Sequence, residues 1–177
     1  MNKPNVPIWM QENIFPLYYN RKSDKILPPR GWSAKPSGDY DWSQRNICGY
    51  GIRGKDNLVI IDIDNKPDQS AAEQLTLLAQ AGFDADTYMQ KSKSDGLHLV
   101  YKNDLNFMVK TYARSMAAAS LGAKYVDIRG EGGYIVGAQD EPYPNGTYSI
   151  LQAGSEKQGP LPYGSSGNMD ILPVLDR

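Results

Sequence analysis

Four side chains carry most of the chemistry open to this sequence: Asp62, Asp64, Asp127 and His98. Asp62 and Asp64 stand two apart at the end of LVIIDID, whose apolar, β-branched start at residues 58–63 predicts a strand. A period of two puts both carboxylates on one face. Carboxylates held that close repel each other unless a cation or proton lies between them. The bland alternative is an exposed strand end where water solvates both. Asp127 lies between Val126 and Ile128 in a second apolar stretch and precedes Arg129 and Gly130-Glu131-Gly132-Gly133. Three aspartates converging from two strands would supply oxygen ligands for a pair of divalent ions about 3.5–4 Å apart, as in phosphoryl and nucleotidyl transfer. Glu131, set between glycines, reads as a solvated loop residue.

His98 is the only histidine, in a stretch (LHLVY, 97–101) that predicts a strand. A lone strand histidine commonly has a structural role. The preceding Lys91-Ser92-Lys93-Ser94 adds ammonium groups, hydroxyl donors and an approachable backbone, which would suit a triphosphate. The competing reading is a loop of solvated lysines. Arg129 carries a planar fork of donors suited to phosphate, or else pairs with Glu131. Cys48 is the only cysteine, so an internal disulfide and the usual Cys/His zinc sites are excluded. A bound metal would be a hard cation, Mg²⁺ or Mn²⁺.

Three tempting motifs fail on context. Gly49-Tyr50-Gly51-Ile52-Arg53-Gly54 has G-x-G-x-x-G spacing, but it precedes the strand at Leu58 instead of following one. Gly49 to Lys55 also matches G-x-x-x-x-G-K, but Asp56 stands where Ser or Thr should meet Mg²⁺. Asp62-Ile63-Asp64-Asn65-Lys66 approximates the D-x-D-x-[T/V] of aspartyl-nucleophile phosphatases, with Lys66 in the last place.

The elements that must hold these residues follow from spacing. Ser70-Ala71-Ala72-Glu73 is a capping box; Ala72, Leu75, Leu78 and Ala79 follow at helical spacing, and Gly82 is the stop. Residues 105–121 predict a second helix, with Leu105, Met108, Val109, Tyr112 and Met116 on one face. Residues 125–129 (YVDIR), 133–138 (GYIVGA) and 147–151 (TYSIL) predict further strands. Residues 21–46, broken by Pro28, Pro29, Gly31, Pro36 and Gly38, predict loop with a short helix near 40–45. The order predicts an α+β fold, a sheet with helices on one face. The stretch 153–167 is rich in Gly, Ser and Pro and reads as loose.

Composition allows one domain with a real core, and no apolar run approaches the ~20 residues of a membrane span. The start, MNKPNVPIWMQENIF, lacks the apolar run of a secretory signal. The net charge of −1 hides a split: nine Lys/Arg against five Asp/Glu in residues 1–56, ten against fifteen in 57–177. The basic, aromatic first third suits either nucleic acid or a solvated irregular segment.

Together these residues resemble the bifunctional DNA primase/polymerase N-terminal domain of the archaeo-eukaryotic primase superfamily. The family's ordered motifs match an apolar strand ending in D-x-D (58–64), a small-residue turn into a strand histidine (Ser94 to His98), and Val126-Asp127-Ile128-Arg129-Gly130 with Gly132-Gly133-Tyr134-Ile135-Val136. Leu27-Pro28-Pro29-Arg30-Gly31-Trp32 and Asn46-Ile47-Cys48-Gly49 resemble its flanking segments, and similarity runs from about Ile8 to Pro162. Two departures stand out. Asp95 replaces a glycine frequent in the family, and Gly137-Ala138-Gln139 replaces a Pro-and-Ser run.

The resemblance implies a mainly antiparallel, RRM-like sheet with helices on one face, fused to a small N-terminal α/β subdomain. On that reading residues 1–165 form the catalytic domain, with a basic part (1–56), a core (57–152) and a loose tail (153–177). It implies that Asp62, Asp64 and Asp127 bind two Mg²⁺ or Mn²⁺ ions. It also implies that His98 contacts the nucleotide's phosphates. By their own chemistry Ser94, Lys91 or Lys93 and Arg129 would assist, and Arg30 and Trp32 would hold single-stranded template. The expected activity is template-directed nucleotidyl transfer from dNTP or NTP on a DNA template/primer. A helicase is expected on a separate chain or further domain, in the cytoplasm of a phage- or plasmid-bearing or prokaryotic host. Two other classes remain open: a D-x-D metal enzyme acting on a nucleotide sugar or phosphate ester, and a non-catalytic replication module that binds single-stranded nucleic acid.

Overall fold

A computed structural model describes residues 1–55, 58–103, 108–152, 172 and 176. Nine strands and two α-helices are found among them: β1 (Ile14–Asn20), β2 (Lys25–Leu27), β3 (Ile47–Gly54), β4 (Leu58–Ile63), α1 (Ala71–Gln80), β5 (Tyr88–Lys91), β6 (Leu97–Lys102), α2 (Met116–Ser120), β7 (Val126–Arg129), β8 (Gly133–Val136) and β9 (Ser149–Gln152). Every ladder between these strands is antiparallel. The chain is α+β, with antiparallel sheet predominating. Among the described residues no helix is long and apolar enough to cross a membrane.

The strands form two sheets, and Gly133–Val136, expected in the core sheet, joins the N-terminal strands. One has the order β2-β1-β3-β8, the other β7-β4-β6-β5-β9. Of the first sheet the sequence predicts only β8, as 133–138; β1, β2 and β3 escape the sequence pattern for physical reasons. Pro16 interrupts β1, tolerated because β2 pairs only with Tyr18–Asn20 and leaves β1 an edge at Pro16. The rejected G-x-G-x-x-G motif is β3 itself. Gly49 and Gly51 leave room for the rings of Tyr143 and Phe15, which a Cβ would strike. The glycines serve packing, not phosphate.

The sheets face each other through a shared core. Leu58, Ile60, Tyr88 and Val100 of the five-stranded sheet meet Ile14, Tyr50, Ile52 and Ile135 of the other. The opposite face of the five-stranded sheet, including Ile61, Ile63, Leu99, Val126 and Ile128, packs on Ala71 and Leu78 of α1 and on Ala117 and Ala118 of α2. The helices thus lie on one face of that sheet, as expected, while the second sheet covers its other face.

The α1 capping box forms: the Ser70 hydroxyl accepts from the Glu73 N–H at 3.1 Å, and the Glu73 carboxylate accepts from the Ser70 N–H at 3.2 Å. Such a cap contributes about 1 kcal/mol. The buried stripe is Ala71, Gln74 and Leu78, with Ala72 and Ala79 exposed, because a polar residue occupies the inward position between turns.

Among the described residues one expected helix is absent and another is shorter than expected. Ser37–Asp39 forms a short 3₁₀ turn, and residues 41–46 contain turns but no helix. The helix expected over 105–121 shrinks to α2, with 104–107 outside the described residues. Instead, Tyr112 pairs with Ile128 along the outer edge of β7, each N–H donating to the other's carbonyl at 2.9 Å. The supposed apolar face was a coincidence of spacing. Val109 is buried but Met108 and Met116 are exposed, and Val109, Thr111 and Tyr112 favour extended backbone. Gly130 lets the segment close in, since a Cβ there would collide with the Val109 carbonyl. The stretch 153–167, read as loose, lies outside the described residues. Farther on, Leu172 is buried in the helix-side core, and Asp176 accepts from the Tyr112 hydroxyl at 2.8 Å and the Ala117 N–H at 2.7 Å.

Candidate active site

Asp62 is the next-to-last residue of β4, and the two ladders of that strand decide what it meets. It stands opposite His98 of β6 on one side and Asp127 of β7 on the other, while His98 stands opposite Gln90 of β5. Directly opposed residues share a face. One polar row, Asp127-Asp62-His98-Gln90, therefore crosses four strands on the face turned toward the second sheet. Where the inter-sheet core ends, a cleft of about 440 Å³ opens, with Asp62, Asp64, His98, Arg129, Tyr134 and Tyr148 in its walls.

The row is wired end to end. Asp62, only 5% exposed, accepts from Arg129 Nε at 2.7 Å, and its other oxygen lies 3.2 Å from His98 Nε2. His98 Nδ1 lies 3.1 Å from Gln90 Nε2. The glutamine amide donates there, so Nδ1 accepts and the ring proton sits on Nε2, facing Asp62. Gln90 also donates to the Val136 carbonyl at 2.6 Å and accepts from the Ala138 N–H at 3.1 Å, stitching the two sheets together at the cleft. Burial alone would push the Asp62 carboxyl up. The His98 hydrogen bond and the Arg129 guanidinium override it and hold that carboxyl down at about 2.

Asp64 is placed by backbone. Gln74 of α1 donates to the Asp64 carbonyl at 2.8 Å and accepts from the Tyr125 N–H at 2.8 Å, and the Asp64 N–H donates to the Tyr125 carbonyl at 2.9 Å. The buried glutamine thus clamps the end of β4 against the entry to β7. The Asp64 side chain, 37% exposed, lies 3.9 Å from Lys66 Nζ and 3.4 Å from Arg114 Nη1. The same Arg114 nitrogen lies 3.3 Å from Asp127, whose carboxylate also accepts the Arg114 N–H at 2.9 Å. Asp127 lies beside the cleft, outside the walls defined above, and is joined to Asp64 through this one guanidinium. As they stand, no three His, Cys, Asp or Glu side chains among the described residues form an ion-holding group.

The other expected residues divide. Lys93 and Ser94 line the cleft in the turn between β5 and β6, whereas Lys91 pairs with Asp95 at 3.4 Å outside it. Asp95 adopts φ 63°, backbone that glycine takes most readily, matching the family glycine it replaces. His98 lines the cleft with both ring nitrogens engaged, and Arg129 bonds Asp62. Trp32 is packed rather than free, stacked on Phe15 at 5.2 Å and edge-on to Tyr134 at 5.0 Å; Arg30 is exposed. Sequence reasoning missed Gln90, Gln74 and Arg114. Gln90 had a signal: Tyr88-Met89-Gln90 and LHLVY flank a polar turn, a hairpin pattern. Arg114, at φ 54° in a stretch read as helix, had none.

No curated protein matches the chain. The family described as bifunctional DNA primase/polymerase, N-terminal (Prim-Pol), matches residues 13–163. That span runs from the start of β1 past the end of β9 and carries the whole Asp62 row, and the chain belongs to this family.

Proposed function

We propose that this chain extends a nucleic-acid strand by metal-assisted nucleotidyl transfer at the Asp62 cleft. Family membership supports the class: DNA primase/polymerase chemistry on nucleotide and nucleic-acid substrates. The observation that carries the local reading is Asp62, buried and ionised at the cleft base, with Asp127 opposite it and Asp64 two residues on.

The three aspartates suit a hard cation by chemistry, since they offer only oxygen donors. A positive charge already stands between two of them, the Arg114 guanidinium. Asp62, Asp64 and Asp127 would hold Mg²⁺ or Mn²⁺. Bound there, such ions acidify an attacking hydroxyl and offset charge on departing pyrophosphate. Arg129 and His98 keep Asp62 charged and aimed into the cleft. Lys93 and Ser94 on the turn, with the outer nitrogens of Arg129, offer donors to a triphosphate tail. His98 reaches a phosphate only by exchanging its bond to Asp62 or Gln90 for it.

The test is primer extension on a DNA template with Mg²⁺ or Mn²⁺ and dNTPs. Wild type extends the primer, and Asp62→Ala, folded by circular dichroism, loses about 10²–10³-fold in rate, the scale expected when a principal electrostatic element is removed. Extension by Asp62→Ala near the wild-type rate would sink the assignment.

A further inference from the structure

We propose that Arg114 is a built-in cation that occupies the Asp64–Asp127 pair when no metal is present and leaves it when metal enters. The inference rests on the metal-binding reading above and adds to it a residue that sets metal affinity. One guanidinium nitrogen lies between the two carboxylates, at 3.4 Å from Asp64 and 3.3 Å from Asp127. Charge-assisted bonds of full strength are about 2.7–2.9 Å long, the length of the Arg129 bond to Asp62 at 2.7 Å. The Arg114 contacts are therefore loose, and its side chain is 46% exposed, so water can take over its donors as it leaves.

Two further features suit a displaceable cation. The Arg114 main chain is fixed independently of its side chain, because its N–H donates to Asp127 at 2.9 Å from a left-handed turn. The guanidinium carbon also lies 4.9 Å from the centre of the Tyr125 ring, and Tyr125 is held by its hydroxyl bond to Asp68 at 2.7 Å. A cation over an aromatic face keeps part of its stabilisation without a carboxylate. Arg114 can withdraw from the pair and remain on the ring.

The consequence is competition: metal binds Asp64 and Asp127 only as fast and as tightly as Arg114 yields them. The experiment is direct Mn²⁺ titration of the nucleotide-free full chain, read by the electron paramagnetic resonance of free Mn²⁺. It compares wild type, Arg114→Gln, Arg114→Lys, Lys66→Gln and Asp62→Ala. Arg114→Gln should bind Mn²⁺ about tenfold tighter. Arg114→Lys keeps the charge on a shorter side chain that ends short of the bridging nitrogen, and should also bind tighter than wild type. Lys66→Gln removes an equal charge beside Asp64 at 3.9 Å but bridges nothing, and should stay within about twofold of wild type. Equal gains in Arg114→Gln and Lys66→Gln would reduce the effect to general repulsion and overturn the proposal, as would an Arg114→Gln affinity equal to wild type. If wild type binds Mn²⁺ and Asp62→Ala does not, the metal site stands whatever Arg114 does. If no variant binds Mn²⁺, the metal reading falls and this inference falls with it.

Discussion

Asp62 and Asp64 are two residues apart on the same strand end, yet they live in different electrostatic worlds. Asp62 is 5% exposed and locked by a 2.7 Å bond from Arg129 and a 3.2 Å contact from His98. Asp64 has a side chain 37% exposed and meets its cations at 3.4 and 3.9 Å. The first environment is low in dielectric and every partner is itself fixed, so the ion pair is strong only while complete. The second is wet, and its partners can be exchanged for water or another cation with little loss. For the metal and nucleotide binding proposed above, the two environments divide the work: one carboxylate held by fixed partners and others that can exchange theirs.

The sharpest way to break this comparison is to remove Arg129. Arg129→Met leaves Asp62 buried with only His98 to compensate it. The expected loss is about 3 kcal/mol of unfolding free energy at neutral pH, measured by urea denaturation. Adding Asp62→Asn should restore much of it, because the uncompensated charge is then gone. A loss below 1 kcal/mol in the single variant would mean that Asp62 is better hydrated than its burial indicates.

Gln90→Leu tests the other end of the row. The amide serves His98, Val136, Ala138 and the Tyr88 hydroxyl at once. Leucine leaves several buried groups unpaired, and the expected loss is about 2 kcal/mol. Nitrogen chemical shifts of His98 should also show its tautomer no longer fixed, because nothing then donates to Nδ1. An unchanged tautomer would show that Asp62 alone sets it.

The rigid half of the comparison was partly legible in the sequence and the exchangeable half was not. LVIIDI announces a central strand by its near-continuous apolar run, an aspartate in such a run needs partners, and all six residues are indeed buried. D-x-D, the strand histidine and VDIR then form neighbouring strands, and period two puts Asp62, His98 and Asp127 on one face. Gln74 was hidden because apolar periodicity passes over a polar residue in the buried stripe, and its two backbone bonds depend on where β7 enters. β1 and β3 were hidden by Pro16 and by glycines that exist to admit the rings of Phe15 and Tyr143. Arg114 follows from a left-handed turn that no local pattern announces. Chemistry carried by β-period residues is readable, whereas residues delivered by irregular segments depend on tertiary closure.

The buried half extends past Gln90 into the inter-sheet core, and pH probes it. The Tyr50 hydroxyl donates to the Ala138 carbonyl at 2.7 Å. Burial pushes its phenol up to about 12, with the Tyr88 hydroxyl acting in the opposite direction. Unfolded, it titrates near about 10. The folded state therefore favours the neutral phenol, and that stabilisation is complete below pH about 10 and lost as pH rises through about 12. At neutral pH, Tyr50→Phe should lose about 1 kcal/mol for the missing bond. Between pH 10 and 12 the gap to wild type should close, read from urea midpoints across that range. A constant gap would place the Tyr50 hydroxyl in contact with water.

The smallest effect belongs to the rim. Arg114→Gln removes a cation whose contacts with two partly exposed carboxylates stabilise the wild-type fold by no more than about 0.5–1 kcal/mol at low salt. Raising salt to about 0.5 M shortens the screening length to roughly 4 Å. The difference between wild type and Arg114→Gln should then vanish, while the Arg129→Met deficit persists because buried charges are screened little. Urea unfolding of both variants at two salt concentrations reads this directly. If the Arg114→Gln deficit also survived high salt, Arg114 would belong with the fixed half of the site, and the division between Asp62 and Asp64 would have to be redrawn around the Asp127 backbone contact.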